Sequence, residues 1–228
     1  MFHFPNSKHV STWLLSTIIM VVLMILIGGV TRLTDSGLSM VEWRPLWGFL
    51  PPTSEIEWKR VFELYMNSPE YIFKNNGMSL EEFKEIFFWE YFHRLWGRLI
   101  GIVFIIPMLF FIILKKIPKS ILSKLFIILF LGGLQGFIGW WMVKSGLVND
   151  PSVSQYRLTI HLFNALLILS LLIWVYLEIK EGVSQIKPDF SFFMFSILFI
   201  TIIAGAFVAG MDAGLMYNEY PFMGDGFI

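Results

Sequence analysis

The chain contains no cysteine, which excludes disulfide bonds, thiolate metal sites, iron–sulfur clusters and haem attached covalently through cysteine. Any metal or cofactor must therefore be held by histidine, methionine, carboxylate or carbonyl groups. Charged residues are also scarce, at 15% of 228 residues, and the 17 basic and 17 acidic side chains cancel. Because the sequence has no basic stripe, nucleic acid is not expected as a partner.

The few charges are unevenly distributed, since 18 of the 34 lie between residues 31 and 98. A soluble domain has about 25% charged residues, whereas hydrophobic residues make up 56% of this chain. A helix needs roughly 20 apolar residues to cross a bilayer. The sequence therefore predicts an all-α integral membrane protein with five spans: Ser11–Val30, Trp96–Leu114, Leu125–Val143, Leu158–Leu177 and Phe190–Met211.

The charges of the short loops predict the orientation. The turn between the second and third spans carries no acid and four lysines: Lys115, Lys116, Lys119 and Lys124. Positive loops stay in the cytoplasm, so this turn and the N-terminus are expected inside. The long polar segment 31–92 is expected outside.

Two short-range signals predict helices within this outer segment. Ser54 is a suitable N-cap for a short helix that ends at Met66. Ser79 followed three residues later by Glu82 is the signature of a capping box. The helix that starts there is expected to continue into the second span.

An internal repeat relates the ends of the first and fifth spans. Five identities share an offset of 177 residues: Gly28/Gly205, Asp35/Asp212, Gly37/Gly214, Leu38/Leu215 and Glu42/Glu219. A unit of four helices predicts two repeats of the same orientation, related by an axis along the membrane normal. Residues 1–180 would then form an N-terminal four-helix bundle with its outer segment 31–92, and residues 181–228 would begin a second, incomplete repeat.

Two of the four histidines are candidates for chemistry, whereas His3 and His9 are predicted to be solvated. His93 starts the second span and His161 lies one turn into the fourth, so both imidazoles are expected at a similar depth. Two such histidines can ligate one iron from opposite faces of a porphyrin, and small residues one helical turn further on leave room for a ring. The alternative is that each histidine bonds to a neighbouring helix and the small residues only allow close packing.

Charged side chains surround the histidine pair. Glu90 lies on the same helical face as His93, where it would accept protons, orient water or fix an axial histidine. An ion pair with Arg94 is the alternative. Four arginines are candidates for binding haem propionates, the alternative being pairing with loop acids or lipid phosphates: Arg32, Arg94, Arg98 and Arg157.

The sequence resembles the haem A synthase family over nearly its whole length. The resemblance rests on these segments: residues 28–40 (GGVTRLTDSGLSM), 90–94 (EYFHR), 134–136 (LQG), 140–147 (WWMVKSGL) and 157–161 (RLTIH). In having no cysteine, the chain resembles members of the mitochondrial and alphaproteobacterial branch of the family. Some other bacterial members carry a cysteine pair in outer loops.

The resemblance implies an eight-helix protein made of two similar four-helix halves. It also implies an oxidoreductase that converts haem O to haem A, for terminal oxidase assembly, by successive hydroxylation of a porphyrin methyl to a formyl group. Carried over residue by residue, His93 and His161 are axial ligands of the substrate haem iron, and Glu90 is the essential catalytic carboxylate. The implied partners are haem O, the haem O synthase (protohaem farnesyltransferase) and cytochrome c oxidase assembly.

In the family, a second histidine pair in the C-terminal half holds a haem b cofactor. This chain stops at Ile228, soon after the fifth span, so the sequence predicts a fragment or a truncated product whose activity alone is an open question. The expected location is the cell inner membrane, with the haem site near the periplasmic face. A non-catalytic b-type electron carrier and, less favoured, a transporter are the alternatives. The oligomeric state stays open, including a homo-oligomer.

Overall fold

The structure is a computed structural model that describes residues 7–44, 48–148, 150–182, 185, 188–215, 222–223 and 226–227. Within these residues there are seven α-helices: α1 (Ser7–Leu33), α2 (Glu55–Met66), α3 (Pro69–Phe73), α4 (Leu80–Ile113), α5 (Lys119–Gly146), α6 (Gln155–Glu181) and α7 (Phe190–Gly210). A 3₁₀ turn, Ala213–Leu215, and a two-residue antiparallel ladder between Phe222–Met223 and Gly226–Phe227 follow.

Five helices, α1, α4, α5, α6 and α7, are long and apolar enough to cross a membrane. The prediction of an all-α, multi-pass membrane protein is therefore confirmed. The helix α4 is the longest, at 34 residues, because a polar first turn precedes its apolar part. The capping box predicted at its start is present, since Ser79 accepts a hydrogen bond from the backbone of Glu82 and Glu82 accepts one from the backbone of Ser79.

The membrane helices form a bundle that is closed on one side only. The helix α1 lies between α4 and α6 and packs along both, while α5 and α7 each pack on α6. The helices α4 and α5 touch at only a few positions. Because α4 and α5 are joined by a short turn, they approach each other near that turn and leave the bundle open elsewhere.

The largest apolar core lies at the end of the bundle that contains the lysine-rich turn. It is built from the start of α1, the end of α4, the start of α5 and the end of α6, and it includes Leu14, Met108, Ile121, Leu125 and Leu172, all fully buried. We call this the packed end. Tight interdigitation of aliphatic side chains there holds the four helices together.

The opposite end of the bundle contains His93 and His161, and we call it the histidine end. Among the described residues, the buried side chains at this end are mainly polar: Thr31, Ser36, Ser39, Glu90, Thr159 and Asn164. Two of these groups join different segments by hydrogen bonds, Ser39 with Glu90 and Asn164 with Gln135.

A small second apolar core, formed by α2 and the start of α4, covers the histidine end of the bundle. Tyr65 of α2 packs against Phe83 and Phe87 of α4, both of which are buried. The predicted helix from Ser54 to Met66 is confirmed, with the Ser54 hydroxyl capping the backbone of Glu57 at 3.2 Å. The short helix α3 was not predicted.

The two turns related by the sequence repeat have the same local conformation. Asp35 and Asp212 both adopt positive φ angles, 48° and 51°. Their backbone amides donate to the carbonyl oxygens of Arg32 and Ala209, each at 3.3 Å, and these acceptors are themselves 177 residues apart. The repeat partner Glu219 lies outside the described residues.

Candidate functional site

His93 rests against a glycine of the neighbouring helix α1. A Cβ atom added to Gly28 would lie 3.3 Å from Cε1 of the His93 ring, closer than most side chains tolerate. The glycine therefore creates the space in which the imidazole sits, and a larger residue at position 28 would displace the ring.

His161 has an equivalent seat on α5. A Cβ atom added to Gly139 would lie 3.1 Å from Cε1 and 3.6 Å from Nδ1 of the His161 ring. Each histidine thus lies against a glycine of a different neighbouring helix. The small residues predicted to leave room for a ring lie on the histidines' own helices. The two glycines that contact the imidazoles lie on neighbouring helices, and only the tertiary structure shows which helices are neighbours.

Both imidazoles lie at the histidine end, His93 against α1 and His161 against α5, and both are partly exposed. The matched depth predicted from the sequence brings them to the same part of the bundle. His9 is exposed at the start of α1, as predicted, and His3 lies outside the described residues.

Glycines on α4 and α5 leave open surface that can accept a flat ligand. A Cβ atom at Gly101, two turns along α4 from His93, would meet nothing within 4 Å, and the same holds for the exposed Gly136 on α5. Of the two ring nitrogens of His161, Nδ1 is buried without a hydrogen-bond partner among the described residues, and Nε2 faces the amide of Gln135. Two imidazoles, open glycine surfaces and a gap between α4 and α5 are features that fit a porphyrin whose iron binds both rings.

A chain of amides holds the other nitrogen of the His161 ring. Gln135 Nε2 lies 3.3 Å from His161 Nε2 and donates to the His161 carbonyl oxygen at 3.1 Å. Asn164 Nδ2 donates to Gln135 Oε1 at 2.7 Å and to the carbonyl oxygen of Leu131 at 3.1 Å. Gln135 belongs to the segment 134–136 on which the family resemblance rests, whereas the sequence gave no signal for Asn164.

Glu90 is buried, with 3% of its surface exposed, and holds the chain that follows α1. One carboxylate oxygen accepts from the Ser39 hydroxyl and from the Met40 backbone amide, each at 2.7 Å. The other oxygen pairs with Arg94. The ion pair that the sequence analysis gave as an alternative is present, and two further donors that it did not identify fix the same side chain.

The four candidate arginines all contact protein groups. Arg94 donates to the carbonyl oxygen of Met40 at 3.1 Å, and Arg157 donates to that of Trp141 at 2.7 Å while lying over the Trp141 ring. Arg98 donates to the carbonyl oxygen of Arg44 at 2.9 Å.

Arg32 differs from the other three, because it joins the two repeated turns. It pairs with Asp35 at 3.1 Å and with Asp212, and it donates to the carbonyl oxygen of Ala209 at 2.8 Å. This set of partners makes it a cross-link between α1 and α7.

Glu70, in α3, is a buried acid that the sequence analysis did not identify. The Tyr65 hydroxyl donates to Glu70 Oε2 at 3.0 Å and accepts from Asn75 Nδ2 at 2.7 Å. Burial raises the pKa of Glu70 to about 7, and the hydrogen bond from Tyr65 opposes the shift only in part. Smaller contributions come from Glu90, which raises the pKa of Glu70, and from Lys74, which lowers it.

The chain is similar to proteins named haem A synthase. It is 48% identical over 233 residues to that of Nitrosospira multiformis, covering 99% of this chain and 65% of the relative. It is 44% identical over 227 residues to that of Parvibaculum lavamentivorans, covering 98% of this chain and 66% of the relative. The chain thus spans slightly less than two thirds of these relatives.

No solved structure matches the chain. A family profile described as COX15-CtaA, cytochrome oxidase assembly protein, matches residues 11–228, which include both histidines, Glu90 and all four arginines. With that match over nearly the whole sequence, the chain belongs to the COX15-CtaA family of cytochrome oxidase assembly proteins.

Proposed function

We propose that this chain binds haem O and acts in its oxidation to haem A, as an oxidoreductase that serves terminal oxidase assembly. The observation that carries the proposal is the pair of glycine-seated imidazoles at the open end of a bundle in a chain of this family. The name shared by the relatives supports the choice of haem O as the substrate.

His93 and His161 would hold the iron of the substrate haem from its two faces. A porphyrin so bound would present one edge to the protein. Conversion of a methyl group there to a formyl group by successive hydroxylation removes four electrons, which an external electron acceptor would have to take up. The protein's part in this step is to fix the ring and to exclude other orientations. Gly28 and Gly139 serve this purpose, since they keep each imidazole in one position.

Glu90 is proposed as the catalytic carboxylate beside the substrate. It lies one helical turn before His93 on the same face of α4, and three donors keep it in one orientation. A carboxylate fixed in this way can place a water molecule or accept a proton at one site. The same contacts mean that its removal would also loosen the chain around Ser39 and Met40.

The arginines Arg94, Arg98 and Arg157, together with Arg32, are proposed to bind the haem propionates. A guanidinium carries five N–H donors, and Arg157 uses one of them on the Trp141 carbonyl oxygen. Each arginine is also held in place by its protein contacts, which favours a defined orientation of the porphyrin.

The division of the chain is also a proposal. Residues 1–180 would form the haem-binding half with its outer segment, and residues 181–228 would begin a second repeat, as the matching turns at Asp35 and Asp212 support. The haem site would face the periplasm from the cell inner membrane, with the lysine-rich turn in the cytoplasm. Haem b has no second histidine pair among the described residues, so we assign no step to it.

The test is to express the chain in a host that makes haem O and to extract the bound pigment. The unaltered chain should retain haem O or its oxidised products, whereas His93→Ala and His161→Ala should each lose the pigment. His9→Ala is the matched control and should keep it. Normal haem content in both site variants would refute the proposal, and protohaem as the only pigment would favour an electron carrier instead.

The role of Glu90 needs a separate variant. Glu90→Gln keeps the shape of the side chain, so haem O should remain bound while its hydroxylated and formyl products disappear, in a host that supplies any missing part of the enzyme. Unchanged product formation would contradict the catalytic role. Loss of all pigment would contradict it too, because it would assign Glu90 to structure alone.

A further inference from the structure

The amide chain at His161 has a hydrogen-bond direction that the structure determines. A main-chain carbonyl oxygen can only accept. The Gln135 nitrogen must therefore face the His161 carbonyl, and the Asn164 nitrogen must face the Leu131 carbonyl. With both amides oriented in this way, Asn164 donates to Gln135 Oε1, and the bond pattern is consistent throughout.

This direction determines which nitrogen of the ring carries the proton. Gln135 Nε2 has two N–H groups, one for the His161 carbonyl and one for His161 Nε2. A neutral imidazole has one protonated nitrogen and one lone pair. Because Nε2 accepts from Gln135, the lone pair is at Nε2 and the proton is at Nδ1.

We infer that Gln135 is a positioning residue that presents the lone pair of His161 Nε2 for ligation of the haem iron. The inference rests on the proposed function, since it takes His161 to be an iron ligand. A metal binds the nitrogen that has the lone pair. The amide thus selects the reactive tautomer before the substrate arrives, and it would give up its contact with Nε2 when that nitrogen holds the iron.

The buried environment explains why such a device is useful here. His161 Nδ1 has no partner among the described residues, so nothing on that side of the ring selects the tautomer. The seat at Gly139 limits the ring to one position but does not distinguish its two nitrogens. The direction of the hydrogen bond from Gln135 supplies that distinction, and Asn164 keeps the amide from turning over.

Two variants of Gln135 separate positioning from packing. Gln135→Glu keeps the shape but replaces the N–H donor with an acceptor, so it should move the proton of His161 to Nε2. Gln135→Leu removes the bond and leaves both tautomers accessible. Gln155→Leu, the same change at the start of α6, is the matched control and should alter neither tautomer nor haem binding.

The first measurement uses the unloaded chain labelled with ¹⁵N-histidine, with His161→Gln to identify the resonances. We expect the Nδ1–H tautomer in the unaltered chain and the Nε2–H tautomer in Gln135→Glu. In Gln135→Leu the tautomer ratio should change by roughly fivefold, the amount that one net hydrogen bond contributes. Asn164→Leu should shift the ratio in the same direction but by less.

The second measurement is the binding of ferric protohaem to the unloaded chain, followed by its low-spin absorption spectrum. Positioning predicts that Gln135→Glu weakens binding more than Gln135→Leu does, whereas a packing role predicts that the isosteric glutamate is harmless and leucine harmful. The same tautomer in all variants, or unaltered binding by Gln135→Glu, would overturn the inference. If the unaltered chain bound no haem but had the expected tautomer, the proposed function would fail instead.

Discussion

The two ends of the bundle are built on different principles. At the packed end, four helices bury leucine, isoleucine and methionine side chains that have no polar atoms to satisfy. At the histidine end, α1, α4 and α6 bury threonine, glutamate and asparagine, the segment after α1 buries two serines, and two glycines make room for imidazole rings. The packed end stabilises the fold, and the histidine end can therefore keep space for the two imidazole rings.

The difference shows how a small membrane bundle can combine stability with a binding site. Apolar packing is non-directional, whereas a site needs groups held in a fixed geometry. Here hydrogen bonds provide that geometry, for example from Ser39 and Met40 to Glu90 and from Asn164 to Gln135. The comparison predicts that substitutions at the two ends will have separable effects.

The largest effect on haem binding is expected from filling a glycine seat. Gly28→Leu or Gly139→Leu should push an imidazole out of place, because overpacking costs about 1–3 kcal/mol. Haem affinity should fall roughly tenfold or more, as measured by titration with ferric protohaem. The control is Gly29→Leu, next to Gly28 on α1, where a Cβ atom meets nothing within 4 Å. Equal losses of haem affinity in all three variants would show that Gly28 and Gly139 do not make room for the imidazoles.

A cavity at the packed end should lower the stability of the fold and leave haem binding unchanged. Leu172 is 1% exposed within the apolar core, so Leu172→Ala should lower the free energy of unfolding by about 2–5 kcal/mol. The absorption spectrum of bound haem should stay the same, because Leu172 belongs to the core of the packed end. Leu177→Ala is the control, since Leu177 is 38% exposed and should lose far less stability. A changed haem spectrum in Leu172→Ala would show that the two ends are coupled.

The smallest effect on haem binding is expected from changes in the cover of the histidine end, the small core formed by α2 and the start of α4. The pKa of Glu70 is raised from its ordinary value of 4.5 to about 7 by burial, so the folded cover favours the protonated acid. Its contribution to stability is complete below pH 4.5 and is lost as the pH rises towards 7, up to about 3 kcal/mol. Amide hydrogen exchange in α2 and α3 should therefore become faster over this pH range.

Glu70→Gln removes the titration but keeps the hydrogen-bonding shape. Exchange in this variant should show no pH dependence beyond that of the intrinsic exchange chemistry. Glu63, on the neighbouring helix α2, is a suitable control position, since Glu63→Gln should leave the pH dependence as it is. A cover that becomes more protected as the pH rises from 4.5 to 7 would contradict the direction of the effect.

Much of the fold follows from local rules. Long apolar runs determine the five membrane helices, and hydrogen bonds between near neighbours determine the caps at Ser54 and Ser79. Both depend on residues close in the sequence, so both could be predicted. The helix α3 was missed because it has only five residues and its one buried side chain, Glu70, is an acid.

The site was predicted only in part, for a physical reason. The type and depth of His93 and His161 can be read from the chain, as can the position of Glu90 one turn away. The partners of these residues cannot, because Gly28, Gly139, Gln135 and Ser39 come from other helices or loops. A sequence gives the period of one helix, whereas the neighbour of each face depends on how the helices pack.

The sequence by itself thus determined a membrane protein of five apolar helices, its family and the pair of histidines, because hydrophobicity and motif are properties of single segments. Only the tertiary structure decided which glycine seats which imidazole, what holds Glu90 and which amide faces His161. These are contacts between segments far apart in the chain, and they exist only once the packed end has brought the helices together.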